Sequence, residues 1–239
     1  MTEKINFKQA MEEDPMFYFK YAHSRGVDYN FYGDWQKQYA KMIINICEIV
    51  RRTEKAKPVL LDVGCACGVN TRAFKEIGLF KLCMGCDLSK FMIDLGKKTH
   101  GFSDEELFVA SAQQLNGVKT KSVDFIHCTS VLEHCTDGEI HRTLGEFNRV
   151  LTDEGIIFIN VPALKPDQDK ETVERMESDI THVTIKPYSW WEKLLGKRFE
   201  IEPGIYEMFE NDKHSPDNSG KSFFDYYNKE WTFFLLSRG

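Results

Sequence analysis

Apolar positions along the chain change their period in an ordered way. From Pro58 to about Val161, short continuous apolar runs alternate with segments of helical spacing. The runs are Val59-Leu60-Leu61, Lys81 to Cys86, Leu107 to Ala110, Val123 to Cys128 and Ile156 to Val161. Unbroken rather than alternating apolarity is what strands covered on both faces show. Two further strands are predicted at Phe199 to Ile205 and Trp231 to Ser237. Asp137 opens a segment in which Ile140, Leu144, Phe147, Val150 and Leu151 recur at helical spacing, stopped by Gly155. Ser189-Trp190-Trp191-Glu192 reads as a capping box, with Gly196 as the stop of its helix. Upstream, Tyr39, Met42, Ile43, Ile46, Ile49 and Val50 form one apolar stripe on a helix ending before Pro58. The pattern predicts an open, mostly parallel α/β sheet flanked by helices, with an N-terminal helical extension.

Composition narrows the class. A length of 239 residues suits one elaborated domain, and 42% hydrophobic with 28% charged residues excludes a disordered or fibrous chain. Lys and Arg number 31 against 37 Asp and Glu, a net charge of −6 that weighs against nucleic acid as a partner. The longest apolar stretch, Gly155 to Leu164, is too short to span a bilayer and is broken by Asn160 and Pro162. Charges stand where a signal peptide needs an apolar core, so a cytoplasmic protein with no membrane partner is expected. Seven cysteines without framework spacing fit reduced thiols in that compartment. Cys83-Met84-Gly85-Cys86 resembles a zinc or redox pair, but inside a strand its two thiols face opposite sides of the sheet. No metal-ligating set is legible, and metal-independent chemistry is expected.

The chemistry is concentrated in Val59 to Gly68. A strand ends in Asp62, and a loop of small residues, Gly64, Ala66 and Gly68, leads into a helix beginning near Asn70. Small residues let the backbone approach a ligand, and the helix start offers unpaired N–H groups. Nineteen residues after Gly68, the next strand ends in Asp87-Leu88, where a carboxylate can accept hydrogen bonds from a ribose diol. Loop and acid together indicate a nucleoside-containing cofactor. The loop lacks the Gly-x-Gly-x-x-Gly spacing of dinucleotide sites, which counts against the alternative of an NAD-dependent oxidoreductase.

Asp62-x-Gly64-x-Ala66-x-Gly68 resembles motif I of class I S-adenosylmethionine-dependent methyltransferases, D/E-x-G-x-G-x-G, with Ala66 as its one departure. Further landmarks follow in the family's order. Ser111-Ala112-Gln113-Gln114-Leu115 is similar to its D-A-x-x-L adenine segment, with Ser111 in place of the acid. Val123 to His134, running through Thr129 to Leu132-Glu133-His134, is similar to the fourth strand and L-E-H continuation of the methyltransferase-11-type subgroup. Arg149 to Gly155 resembles its R-V-L-K-P-G-G turn, and Asp179-x-Thr181-His182 to Trp191 a segment of bacterial glycan or secondary-metabolite methyltransferases.

The resemblance implies a Rossmann-like fold with a seven-stranded sheet and S-adenosylmethionine as cofactor, S-adenosylhomocysteine being its product. It implies cofactor contacts from Asp62, Gly64, Ala66, Gly68, Asp87, Leu88, Ser111, Ala112, Gln113 and Thr129. His182, then His134, are the candidate proton acceptors for methyl transfer to an oxygen or nitrogen of a small molecule, glycan or secondary metabolite. The expected division is a helical, aromatic lid over residues 1–57 and a methyltransferase domain over 58–239. Substrate-side insertions are expected at about 162–188 and 211–222. A non-catalytic S-adenosylmethionine-binding partner protein stays open as an alternative, because Ala66 and Ser111 depart from the family pattern. Nothing in the chain indicates an oligomeric state.

Overall fold

The computed structural model describes residues 4–26, 33, 36–37, 39–44, 58–166, 168–203 and 231–238. Among the described residues, eight strands form one sheet: β1 (Val59–Val63), β2 (Leu82–Asp87), β3 (Leu107–Val109), β4 (Val123–Thr129), β5 (Leu151–Leu164), β6 (Lys186–Pro187), β7 (Glu200–Ile201) and β8 (Trp231–Ser237). Seven run in the order β3-β2-β1-β4-β5-β8-β7, and the two-residue β6 pairs with β5 off that path. Strands β1 to β5 are parallel, while β8 runs antiparallel to both β5 and β7. The order reverses beside β1, between the β2–β3 half and the β4–β5 half, and there the carboxyl ends of β1, β2 and β4 open a crevice.

Both faces of this sheet are apolar, as its strand runs anticipated. Leu61, Val63, Ile157, Ile159 and Val161 pack on one side with α5 (Asp137–Val150) and α7 (Tyr188–Leu195). Leu60, Ile156 and Phe158 pack on the other with α3 (Val69–Ile77) and the helical residues 39–44. Cys86 belongs to the first cluster and Cys83 to the second, so the C-x-x-C thiols do face opposite sides. The remaining helices are α1 (Phe7–Glu13), α2 (Phe17–Ser24), α4 (Lys90–His100) and α6 (Lys170–Ser178), with a 3-10 turn at Leu132–His134.

Two local expectations are corrected. The capping box at Ser189 is absent, because the helix starts two residues earlier behind Pro187, whose φ of −59° is already set for a helix start. A capping box forms instead at Thr136, whose backbone N–H donates to Glu139 at 2.8 Å. Pairing of β5 begins at Leu151 rather than Ile156: Val123 faces Leu151, Phe125 faces Ile156, and residues 152–155 bulge between them. Ile46, Ile49 and Val50 of the helical stripe, the aromatics Tyr29, Phe31, Tyr32, Trp35, Phe223, Phe224, Tyr226 and Tyr227, and the 211–222 insertion lie outside the described residues.

Candidate functional site

The cofactor loop is shaped by its backbone. Gly64, Ala66 and Gly68 all adopt left-handed φ values, +70°, +51° and +78°. Gly64 has no room for a side chain, since a Cβ there would sit 2.2 Å from Val131 Cγ2. Ala66 holds its left-handed conformation with a methyl group, at about 1–2 kcal/mol of strain. The Gly64 and Cys65 N–H groups donate to the Cys86 carbonyl at 2.8 and 3.0 Å, tying the loop to the end of β2.

Asp87 completes that tie. Its Oδ2 accepts from the Ala66 N–H at 2.9 Å and its Oδ1 from the Ser89 N–H at 2.8 Å. Each carboxylate oxygen keeps a second lone pair for an outside donor. Burial pushes the Asp87 carboxyl above the usual aspartate range, against the pull of these two backbone donors.

Asp62 has a different setting. It is buried below the loop, with Oδ2 accepting from Thr71 Oγ1 at 2.6 Å and Oδ1 lying 2.7 Å from His127 Nδ1. His127 Nε2 in turn lies 2.7 Å from the Tyr39 hydroxyl. This buried chain, Thr71–Asp62–His127–Tyr39, joins the N-terminal helical residues to the floor of the loop. Sequence reasoning missed Thr71, His127 and Tyr39 as a polar unit; the only trace was one histidine inside an apolar strand.

Above the loop lies a cavity whose wall includes Gly64, Asp87, Leu88, Ser111, Ala112 and Gln113. Phe7, Tyr18, Val131 and His134 also line it. Leu88 is 36% exposed, an apolar side chain facing open space at the end of β2. Ser111 Oγ accepts from the Gln113 N–H at 3.3 Å, while Gln113 Oε1 is held by Arg142 at 3.2 Å. Ala66, Gly68, Asp62 and Thr129 are absent from the wall: Gly68 caps α3, and Thr129 pairs with Asn160 in the sheet.

The two candidate proton acceptors come together, with ring centroids 5.2 Å apart. His134 reaches the cavity and His182 stands behind it. Burial holds the His182 imidazole below its usual range. Beside them Glu133 is fully buried, and neither carboxylate oxygen has a hydrogen-bond partner among the described residues. The N-terminal segment covers this corner. Phe7 packs on His134 at 5.1 Å, the Ile5 N–H donates to Ile180 O at 2.9 Å, and the Tyr21 hydroxyl donates to Asp179 Oδ1 at 2.7 Å. Two donors from Thr181 and the Tyr21 hydroxyl hold the Asp179 carboxyl down at about 2.

Comparison with known proteins agrees with this geometry. Residues 61–159 match the family model of the methyltransferase domain, methyltransferase-11 type. No curated protein matches the chain. Among solved structures, a chain of the Haloferax volcanii complex between the Trm112 methyltransferase activator and a methyltransferase aligns with a TM-score of 0.62 at 14% identity, covering 97% of this chain and 96% of that one. A TehB-like SAM-dependent methyltransferase from Corynebacterium glutamicum aligns at 0.55 and 15% identity, over 97% and 100% of the two chains. Geranyl diphosphate C-methyltransferase from Streptomyces coelicolor, crystallised with Mg2+, geranyl diphosphate and S-adenosylhomocysteine, aligns at 0.58 and 13% identity, over 84% and 78%. At such identities the likeness speaks to the fold. Residues 61–159 thus match a methyltransferase domain of the methyltransferase-11 type, set on a Rossmann-like sheet.

Proposed function

We propose that the chain transfers a methyl group from S-adenosylmethionine to an oxygen or nitrogen of a small acceptor. One observation carries the reading: a single cavity runs from Gly64, Asp87, Leu88 and the Ser111–Gln113 segment to His134. The first group fits the nucleoside. Asp87 offers free lone pairs for ribose hydroxyls, Leu88 an apolar face for adenine, and Ser111 to Gln113 polar groups for its edge. Gly64, where a Cβ would displace Val131, leaves backbone exposed to the ligand. When bound, S-adenosylmethionine supplies an electrophilic methyl on sulfur, and its leaving group is a neutral thioether. The balanced reaction converts acceptor X–H and S-adenosylmethionine into X–CH3, S-adenosylhomocysteine and a proton.

The protein's contribution is alignment and dryness. Phe7 and Tyr18 close the cavity over the cofactor loop, so α1 and α2 act as its lid. His134, reaching the wall, is the group nearest to receive an acceptor's proton, with His182 behind it. This inverts the order expected from the sequence, because the wall is reached by His134.

The experiment is turnover of S-adenosylmethionine with pools of hydroxyl and amine acceptors, read as S-adenosylhomocysteine and a product heavier by one methylene. A product that forms and is lost in Phe7→Ala, with S-adenosylhomocysteine affinity retained, supports both cofactor placement and lid. Cofactor binding without turnover in any pool favours the non-catalytic partner reading.

A further inference from the structure

Glu133, His134 and His182 each offer one ligand atom, all lying within 4.8 Å of one another. We propose that this triad binds a divalent cation of the zinc class on the acceptor side of the cavity, deepening the methyltransferase reading on which it rests. The proposal departs from the metal-free chemistry expected from the sequence, where Glu133-His134 and His182 stand too far apart to read as one set.

The positions of the ring hydrogens decide which nitrogen of each histidine is free. His134 Nδ1 lies 2.9 Å from the Thr181 carbonyl oxygen, and a carbonyl only accepts, so Nδ1 carries the hydrogen. His182 Nδ1 lies 3.3 Å from the Met176 carbonyl in the same relation. In both rings Nε2 is then the free ligand atom. A histidine whose other nitrogen donates to a backbone carbonyl is the usual setting of a metal ligand, because that bond fixes tautomer and ring direction.

Glu133 supplies the second, independent observation. It is fully buried and both its oxygens lack partners among the described residues, while His134 Nε2 stands 3.9 Å from Oε1. Lone pairs facing lone pairs in a buried corner call for a cation between them. The corner is also built rather than incidental. The N–H groups of Val183 and Thr184 both donate to the Glu133 carbonyl, at 2.9 and 3.0 Å, which brings His182 back against the 3-10 turn. Asp179 Oδ2 lies 3.8 Å from His182 Nε2, but Asp179 is already engaged by Tyr21, Thr181 and Arg25 and is the weaker claimant.

Two imidazoles and a carboxylate suit Zn2+, Mn2+, Fe2+ or Co2+ better than Mg2+ or Ca2+, which take oxygen ligands. Three protein ligands leave coordination positions open, as in catalytic rather than structural sites. Since His134 also lines the cavity, an open position would meet an acceptor oxygen there. With the ion bound, His134 Nε2 is a ligand and no longer receives the proton; a bound hydroxyl would ionise more readily, its proton leaving to solvent and its lone pair remaining for the methyl carbon. The class of acceptor implied is a hydroxyl or enol oxygen able to coordinate a metal.

The test titrates Co2+ into the untagged, EDTA-treated full chain, read by ligand-field absorption and by competition with a chromophoric chelator. One equivalent per chain is expected. Glu133→Gln and His182→Ala should each weaken it by more than about 100-fold, beyond the effect typical of outer partners. Unchanged S-adenosylhomocysteine affinity and thermal midpoint in His182→Ala would show that this loss is local. Wild-type protein that binds no Co2+, or variants that bind it equally well, would overturn the site. Failure of S-adenosylhomocysteine to bind any form would instead defeat the methyltransferase placement, so the two outcomes are distinguishable.

Discussion

Replacing Asp87 by alanine separates two tasks that its carboxylate performs. In the unliganded protein it accepts the Ala66 N–H at 2.9 Å and the Ser89 N–H at 2.8 Å, so its loss leaves two backbone donors without partners. Each such donor costs about 1–3 kcal/mol where water cannot replace the acceptor, and less beside an open cavity. A fall in stability of about 2 kcal/mol is therefore expected before any ligand is added. Loss of the ribose contacts adds a binding penalty of about 1.5–3 kcal/mol, or roughly 10- to 150-fold in S-adenosylhomocysteine affinity. Asp87→Asn keeps one accepting oxygen and should fall between the two. Calorimetric titration gives the affinity, and thermal unfolding without ligand gives the stability. Because burial raises the Asp87 carboxyl, protonation begins at a higher pH than for an ordinary aspartate. The carboxylate is the form that accepts two ribose donors, so wild-type affinity should decline as pH falls through that raised value. Asp87→Asn should show no such decline. An Asp87→Ala protein of lowered stability and unchanged affinity would refute the ribose assignment and leave only the loop tie.

Other perturbations follow from the same geometry. Gly64→Val should reduce S-adenosylhomocysteine affinity by at least about 100-fold and lower the thermal midpoint, because a branched residue at φ +70° meets Val131 and pushes it into the cavity; normal calorimetric binding would place the loop's ligand elsewhere. Tyr39→Phe should destabilise the fold by about 1–3 kcal/mol by leaving His127 Nε2 without its hydroxyl partner, measured by denaturant unfolding, with little effect on cofactor affinity. Burial pushes the thiols of Cys67 and Cys135 up to about 12 from 9. At pH 8 their thiolate fraction is then about 1000-fold below that of an ordinary cysteine, so peptide mapping after iodoacetamide treatment should find both sites unmodified until the protein unfolds.

What the sequence disclosed and what it hid have physical reasons. Strands β1, β2 and β4 were legible because burial on both faces writes unbroken apolar runs. The loop from Gly64 to Gly68 was legible because a backbone that approaches a ligand at positive φ selects small residues. The capping box misplaced at Ser189 shows the limit of local pattern: Ser and Glu had the right spacing, but Pro187 had already fixed the helix start. The Thr71–Asp62–His127–Tyr39 chain was hidden because its members come from β1, β4 and two helical segments, and only the sheet order brings them together. The Glu133–His134–His182 corner was hidden for a similar reason. Its closure depends on backbone bonds from Val183 and Thr184 to Glu133, which leave no mark on residue type.

The most direct test of the account is a crystal structure of the chain with S-adenosylhomocysteine. The account predicts the ribose diol on the Asp87 carboxylate, adenine between Leu88 and the Ser111–Gln113 segment, and the sulfur turned toward the His134 wall. A nucleoside bound away from Asp87, or a sulfur directed away from His134, would contradict it.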